Sequence, residues 1–305
     1  MTAHRVRNTP ASIAARLLNL ARSRGEDYGF TLSQYGIDGA LRRIAASRHR
    51  ERFVLKGATL FAVWLPSIHR ATWDLDLLGK GSGSILEMEA VFREILGTSV
   101  DEDGLTFDID GLSGEEIRAE EEHKGVRLNT TALLGRTRIR LRIDIGLDDI
   151  VIPKPAWEIV PSTLDHSPAR LLVYPREAVV AEKLEAMLAK GMKNSRMKDY
   201  FDIQFLASRF DFKGAILSDS IGATLKRRKT GIIEGIPLGL TDDFARMPER
   251  IPQWRAFVRR ARIPADSPDL AGIVTRVRAF VLPPFNAARE RRRFEDSWPA
   301  GGPWQ

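Results

Sequence analysis

Two short runs, Lys56-Gly57-Ala58-Thr59 and Thr72-Trp73-Asp74-Leu75-Asp76-Leu77-Leu78, set the architecture of this chain. The acidic residues of the second run alternate with leucines, which predicts a β-strand with both carboxylates on one side and the leucines in a core. Two residues advance about 6 to 7 Å along a strand, so Asp74 and Asp76 can converge on one ion. Hard oxygen ligands without a nearby His or Cys favour Mg²⁺, which takes its other ligands from water and substrate phosphate. The strand therefore predicts a site for phosphate chemistry.

The turn that precedes this strand supplies complementary groups. Gly57 and Ala58 let backbone N–H groups approach a polyphosphate, and the Thr59 hydroxyl adds a donor. Glycine turns and Asp-x-Asp pairs are each common at strand ends and have ordinary structural explanations. Their combination, with Arg70 and Thr72 leading into the strand, favours a nucleotide site.

Composition restricts the compartment and the partners. The 305 residues are 43% apolar, enough for two modest domains, and the net charge of +7 makes a polyanionic partner plausible. The absence of cysteine excludes disulfides and thiolate metal sites and is consistent with a reducing compartment. Neither a signal-like apolar core nor a membrane-length apolar run is present, so we expect a cytoplasmic protein that does not enter a membrane.

Periodicity predicts an α+β fold, with a mixed sheet, N-terminal helices and a mostly helical C-terminal domain. We expect N-terminal helices from Thr9 and over about 32–50, and strands over 105–146. Five prolines between 151 and 175 should resist helix and central strand, so the domain connection is placed there. The predicted domains are residues 1–160 and 161–305. Predicted C-terminal helices cover 176–190, 197–208, 212–228, 252–262 and 269–281.

Four further acidic or basic residues need interpretation. In the strand 139–145 isoleucines and leucine form one face, which leaves Asp144 on a water-facing or ligand-facing surface. Lys183 flanks the apolar stripe of its helix, as a surface lysine or as one that extends its ammonium towards a cleft. Asp199 and Asp202 share a helix face; Asp199 suits a helix N-terminus, and both suit salt bridges to Lys183 or Arg196.

Taken together, these motifs resemble the AbiEii/AbiGii nucleotidyltransferase toxins of the polymerase-beta-like nucleotidyltransferase superfamily. The resemblance is clearest over residues 52–80 and 175–206, with the strand Arg70-x-Thr72-x-Asp74-x-Asp76, a helix lysine and the motif Lys198-Asp199-x-x-Asp202. Ala58 departs from the family pattern, which usually has a second glycine there.

The resemblance implies a role for each matching residue. Asp74 and Asp76 would be catalytic Mg²⁺ ligands, joined by Asp144 as a third metal ligand from a separate strand. An ion pair of Asp144 with an arginine is the alternative, and the weaker rivals for the third carboxylate are Asp108, Asp110 and Asp148. Across a cleft, catalytic Lys183 would contact the nucleotide phosphates, with Asp199 and Asp202 as further active-site residues. The expected nucleotide-binding residues are Gly57, Ala58, Thr59, Arg70, Thr72, Lys183 and Arg196.

The implied activity is transfer of a nucleoside monophosphate from an NTP to an acceptor. The resemblance implies a toxin of a type IV toxin–antitoxin or abortive-phage-infection system, with a separate protein as the antitoxin. In related toxins the acceptor is the tRNA 3′ end, whose extension stops aminoacylation and translation. Two alternatives remain open: a transferase that modifies a small-molecule or protein hydroxyl, and a catalytically dead module that binds RNA or a partner. Two basic runs, 226–229 and 289–293, could contact RNA phosphates.

Overall fold

A computed structural model of the chain describes residues 9–65, 72–81, 83–117, 125–147, 150–231, 234–263 and 268–305. The chain forms two compact units, Met1–Asp148 with Ala156–Val173, and Asp149–Pro155 with Tyr174–Gln305. The boundary at 160/161 stays a prediction of domain organisation, and the first unit extends to Val173.

The first unit is a mixed β-sheet with helices. Its helices are α1 (Thr9–Arg24), α2 (Tyr28–Ala46), α3 (Phe61–Trp64) and α4 (Ile85–Leu96), with a 3₁₀ turn at Ala58–Leu60. Its strands are β1 (Phe53–Lys56), β2 (Asp74–Gly79), β3 (Leu105–Phe107), β4 (Ser113–Glu116), β5 (Gly125–Leu134), β6 (Thr137–Leu147), β7 (Ala156–Val160) and β8 (Ala169–Val173). The strand order is β3-β5-β6-β2-β1-β8-β7, with β4 beside β5. The predicted α+β fold with a mixed sheet and N-terminal helices is confirmed.

Alternation along β2 and β6 gives the sheet one apolar face. Leu75 pairs with Ile143 and Leu77 with Ile145 in parallel register, and all four side chains are buried. Helix α2 covers this face so closely that a Cβ on Gly36 would lie 3.0 Å from the side chains of Ile139 and Leu141. The hydrophobic core therefore lies between α2 and the sheet, and charged side chains occupy the opposite face.

The expectation that the proline-rich segment lacks central strand was wrong. Strand β8 lies between β1 and β7, and β7 also falls in this segment. Pro155, Pro161 and Pro168 stand immediately before or after these two strands, and Pro175 stands two residues after the end of β8. Because none of them occupies a paired position, their missing N–H groups do not interrupt the ladder.

The second unit is mostly helical. It contains α5 (Arg176–Lys190), α6 (Met197–Arg209), α7 (Gly214–Arg227), α8 (Asp242–Arg246), α9 (Arg250–Ala261) and α10 (Leu270–Glu290), with 3₁₀ turns at Gly191–Lys193 and Leu238–Leu240. A short antiparallel pair joins β9 (Phe212–Lys213) to β10 (Ser297–Trp298). The predicted helical C-terminal part is confirmed.

Several helix bounds differ from the sequence prediction; for example, α2 ends at Ala46 rather than near 50, and residues 212–213 form β9 instead of the start of a helix. Two of the differences have a clear structural cause. Helix α2 begins four residues before the predicted start, because Asp27 caps it by accepting a hydrogen bond from the N–H of Phe30. Helix α10 continues beyond the predicted end at residue 281, through Pro283 and Pro284. Buried residues on the far side of the prolines, including Phe285, favour continuation by packing despite the lost backbone bonds.

A buried ion pair connects α2 to the segment before β3. Arg43 donates to both carboxylate oxygens of Asp103, at 2.7 and 3.3 Å, and to the carbonyl oxygens of Gly39 and Leu105. Both charged side chains are buried. Since every one of these bonds satisfies a desolvated group, the pair holds β3 against α2.

We predict that Asp103→Ala lowers the free energy of unfolding by about 3–5 kcal/mol, because it leaves Arg43 buried without its counter-ion. Urea titration followed by circular dichroism measures the change. The matched control is Asp165→Ala, which removes an exposed pair with Arg16 and should leave stability nearly unchanged. Equal effects of the two substitutions would contradict a structural role for the buried pair.

Candidate active site

The register of β2 against β6 brings three carboxylates to one face of the sheet. Asp74 pairs with Arg142 and Asp76 with Asp144, and residues paired directly in neighbouring strands point to the same face. The Nη1 atom of Arg142 lies 3.6 Å from Oδ1 of Asp74. Asp74, Asp76 and Asp144 are all partly exposed on this polar face.

Asp144 is held by an arginine of the next strand. Arg127 lies opposite it in β5 and donates from Nε and Nη2 to the two carboxylate oxygens, each at 2.8 Å. These hydrogen bonds from Arg127 raise the pKa of its guanidinium group above the ordinary value. The ion pair that the sequence left open as an alternative is therefore present, and a metal-ligand role for Asp144 stays a prediction.

The turn after β1 closes directly onto Asp76. Gly57 has φ +74° and ψ −157°, a backbone conformation that is essentially restricted to glycine. A Cβ at this position would lie 1.9 Å from Oδ2 and 2.6 Å from Cβ of Asp76. Only glycine permits this approach, so Gly57 sets the space available to the Asp76 carboxylate.

Four other predicted nucleotide contacts, Ala58, Thr59, Arg70 and Thr72, lie close in sequence to this turn and to β2. Ala58 and Thr59 begin the 3₁₀ turn, and the buried Thr59 hydroxyl has no hydrogen-bond partner among the residues that the structure describes. The carbonyl oxygen of Thr72, just before β2, accepts a hydrogen bond from Nε2 of Gln34 at 2.7 Å. Arg70 lies outside the described residues.

The polar face has the donor chemistry of a magnesium site. Asp74 and Asp76 offer hard oxygen atoms, and Arg127 binds both carboxylate oxygens of Asp144. Within the described ranges, no cluster of three or more acidic, histidine or cysteine side chains is arranged to hold a metal ion. A two-carboxylate site completed by substrate phosphate and water suits Mg²⁺.

In the second unit, Lys183 is clamped between two buried carboxylates. Its Nζ atom lies 2.9 Å from Oδ1 of Asp199 and 2.8 Å from Oδ2 of Asp202. The lysine side chain is 14% exposed and both aspartate side chains are 0% exposed. Lys183 is thus a mostly buried ion-pair member rather than a free surface lysine.

Arg196 completes this cluster from the start of α6. Its Nε atom donates to Oδ2 of Asp199 at 2.5 Å, and its N–H donates to Oδ1 of Asn194 at 3.0 Å. Burial alone would raise the pKa of Asp199, but the charges of Lys183 and Arg196 outweigh burial and hold that pKa below its ordinary value. Because neither carboxylate reaches the surface, Asp199 and Asp202 are suited to position the two cations.

Sequence reasoning missed two basic residues of the carboxylate face. Arg127 holds Asp144, and Lys56 lies opposite Asp76 in the β1–β2 register. A Cβ added to Gly146 would lie 3.2 Å from the Lys56 Nζ atom, which places that ammonium on the same face. The alternation of side chains along β5 could have predicted the sheet face on which Arg127 lies. It could not have identified Asp144 as the ion-pair partner, because local sequence does not determine the order of strands in a sheet.

The two basic runs singled out in the sequence are partly neutralised by nearby glutamates. Arg228 pairs with Glu185 at 2.9 Å. In the second run Arg289 and Arg292 both pair with Glu290. RNA contact by either run stays a prediction.

We predict that Asp199→Asn lowers the free energy of unfolding by about 3 kcal/mol at neutral pH, because Lys183 and Arg196 lose a shared buried counter-ion. A carboxyl whose folded pKa is lowered contributes stability above its unfolded pKa and loses it as pH falls through the folded value. Wild-type stability should therefore fall more steeply than that of the variant below about pH 4. Urea titrations across pH measure both effects. An equally steep loss of stability in the wild-type protein and the variant at acidic pH would contradict the role of Asp199 as a buried counter-ion.

Comparison with solved structures finds two proteins with similar chain coverage. JHP933 from Helicobacter pylori shares 13% identity, with 85% of this chain and 94% of that chain covered and a TM-score of 0.43. A candidate nucleotidyltransferase from H. pylori shares 14% identity, with 86% and 98% covered and a TM-score of 0.44. No protein of curated function matches the sequence significantly. Among the described residues, no helix has the length and apolarity to cross a membrane.

A family profile covers most of the chain, including both groups of predicted site residues. The profile described as "Nucleotidyl transferase AbiEii toxin, Type IV TA system" matches residues 39–290. The predicted enzyme class, a nucleotidyltransferase, is thereby confirmed. The chain belongs to the AbiEii nucleotidyltransferase toxin family of type IV toxin–antitoxin systems.

Proposed function

We propose that this protein transfers a nucleoside monophosphate from an NTP to the 3′ end of RNA, with tRNA as the acceptor, and so blocks translation. The observation that carries the proposal is the arrangement of Asp74 and Asp76 on one polar sheet face, with Gly57 closing on Asp76. Family membership supports the reaction class, an NTP substrate and an antitoxin partner.

The carboxylate face would bind the metal–nucleotide substrate. Asp74 and Asp76 are the residues that would hold Mg²⁺, and Asp144 is the third candidate ligand. When bound, Mg²⁺ would neutralise phosphate charge and orient the triphosphate for in-line displacement. The Thr59 hydroxyl, which has no hydrogen-bond partner in the described part of the chain, supports a polar ligand at the turn. We retain Gly57, Ala58, Arg70 and Thr72 as proposed phosphate contacts.

Lys183 and Arg196 are the proposed cations for the departing pyrophosphate. The two buried carboxylates fix the Lys183 ammonium between them, so it pays little orientational entropy when a phosphate binds. The exposed edge of Lys183 and the more exposed Arg196 side chain can contact an anion. Asp199 and Asp202 would act as positioning residues that keep both cations charged and oriented.

In the proposed reaction, the acceptor hydroxyl oxygen forms a bond to the α-phosphorus and the bond from that phosphorus to the β-phosphate bridging oxygen breaks. The hydroxyl proton passes to solvent, and pyrophosphate leaves. The nucleophile belongs to the acceptor, so the residues of this chain bind, orient and stabilise charge rather than form a covalent intermediate. An acceptor that ends in a ribose hydroxyl and carries many phosphates agrees with the net charge of +7.

Incubation of the purified protein with each α-labelled NTP, Mg²⁺ and total RNA tests the function. We expect label in tRNA with the wild-type protein, and at least about a hundredfold less with Asp74→Ala or Lys183→Ala, because each removes transition-state charge stabilisation. Asp165→Ala, at an exposed aspartate of the same unit as Asp74, and Lys193→Ala in the turn after α5 are the matched controls.

The location of the label decides between the proposal and its alternatives. Label confined to protein or small metabolites would overturn RNA as the acceptor. Growth inhibition that persists unchanged in Asp74→Ala would instead identify a binding module without nucleotidyl transfer.

Gly57→Ala should reduce transfer by about a hundredfold, because the new Cβ would displace the Asp76 carboxylate. Its stability cost should be about 1–3 kcal/mol, from the strained backbone. The matched control is Gly25→Ala, which also has positive φ but has no atom within 4 Å of the added Cβ. Initial transfer rates and thermal melting measure the two effects. Full activity in Gly57→Ala would contradict the close-approach argument.

A further inference from the structure

A second polar cavity lies in the first unit, away from the carboxylate face. Its volume is about 500 Å³, and its wall includes Arg42, Arg50, Trp157 and Arg170. Arg50 precedes β1, whereas Gly57 follows the other end of that strand. Because β8 runs parallel to β1, Arg170 also lies at the β1 end opposite Gly57. The cavity, here named the α2–β8 cavity, is therefore separate from the turn that closes on Asp76.

An aromatic side chain with two guanidinium groups near its ring forms one part of this wall. The guanidinium carbons of Arg50 and Arg170 lie 5.8 and 5.7 Å from the ring centroid of Trp157. Both arginine side chains are exposed, and neither forms an ion pair with any residue that the structure describes. Arginine planes and tryptophan rings are the surfaces on which nucleobases stack, and free guanidinium groups bind phosphate.

A buried arginine forms part of the same wall. Arg42 is 4% exposed; its Nε atom lies 3.5 Å from Asp38 and its Nη2 atom 3.1 Å from Asp103. The guanidinium nitrogen atoms of Arg42 are themselves buried. Because two buried carboxylates already pair with Arg42, this residue supports the wall, and the exposed Arg50 and Arg170 are the cations that can meet a phosphate.

The acidic residues of the wall do not cancel this character. Asp101 accepts a hydrogen bond from the Ser167 hydroxyl at 2.6 Å, and Glu51 is exposed. Within the described part of the chain, neither carboxylate forms an ion pair with Arg50 or Arg170, so both of these guanidinium groups stay available to a phosphate. The volume falls within the range of about 300–1,000 Å³ that is typical of small-ligand sites.

We propose that the α2–β8 cavity binds a nucleoside phosphate, with the base stacked on the Trp157 and arginine surfaces and the phosphate held by Arg50 and Arg170. The ligand is either a nucleotide within an RNA strand or a free mononucleotide, which share this chemistry. The site is independent of the catalytic metal and of nucleotidyl transfer, so it goes beyond the proposed function.

The test uses the full-length Asp74→Ala protein in EDTA, so that metal-dependent binding at the carboxylate face does not contribute. Fluorescence anisotropy measures its binding to a labelled eight-nucleotide single-stranded RNA, and unlabelled AMP and UMP serve as competitors. Arg50→Ala and Arg170→Ala should each raise Kd about tenfold. Each should also reduce the slope of log Kd against log salt concentration by about 0.7, because one phosphate contact is lost. Trp157→Leu should raise Kd about tenfold without changing the salt dependence.

The matched control is Arg48→Ala, which removes an exposed arginine that pairs with Glu94 outside the cavity wall. Its Kd should change less than twofold. Equal losses in Arg48→Ala and the cavity variants, or the absence of saturable binding to RNA and mononucleotides, would overturn the proposal. If Trp157→Leu fails to fold, the two exposed arginine variants decide the outcome.

Competition identifies the ligand source. Displacement of RNA by AMP or UMP indicates a mononucleotide site, and binding of the oligonucleotide alone indicates an RNA subsite; either result supports the cavity. Because no transfer is measured, loss of binding in the arginine variants would support the site even if the transfer assay failed. If the arginine variants bind RNA and mononucleotides as the parent protein does, while the wild-type protein is active in the transfer assay, the cavity proposal is overturned and the proposed function stands.

Discussion

Parallel pairing of β2 with β6 is the constraint on which the rest of the first unit depends. The register that places Asp76 beside Asp144 also places Leu75 beside Ile143, so one choice decides both the polar face and the core. A shift of one residue would turn the carboxylates into the core and the leucines into water. The apolar face is covered by α2, which makes that shift costly and holds Asp74 and Asp76 together.

The carboxylates of the sheet face and those around Lys183 are neutralised in different ways. On the sheet face, Arg127 neutralises Asp144, while Asp74 and Asp76 stay partly exposed and can meet a metal–nucleotide complex. In the second unit, two fully buried carboxylates surround Lys183, so the carboxylates serve the cation rather than a ligand. Aspartate is thus suited to contact a ligand on the sheet face, where it is partly exposed, and to position the Lys183 ammonium in the second unit, where it is buried.

The arginines of this chain show why net charge is a weak guide to a binding surface. Arg43 stabilises the core through Asp103, and Arg228 is tied to Glu185. Arg50 and Arg170, by contrast, stand beside Trp157 with their guanidinium groups exposed. Composition counts all of these residues equally, although only unneutralised guanidinium groups can take up a phosphate without first breaking an ion pair.

Local sequence determined much of this protein: the alternation at Asp74 and Asp76, the strand around Asp144 and the helix that carries Lys183 follow from periodicity and turn residues within a few positions. Periodicity failed where packing or pairing overrides propensity, as in the continuation of α10 through its prolines and in strand β8. Tertiary structure alone decided that Arg127 binds Asp144, that Gly57 touches Asp76 and that Asp199 encloses Lys183. These contacts join residues 16 to 19 positions apart, and their geometry depends on strand register and helix packing, which local sequence patterns do not encode.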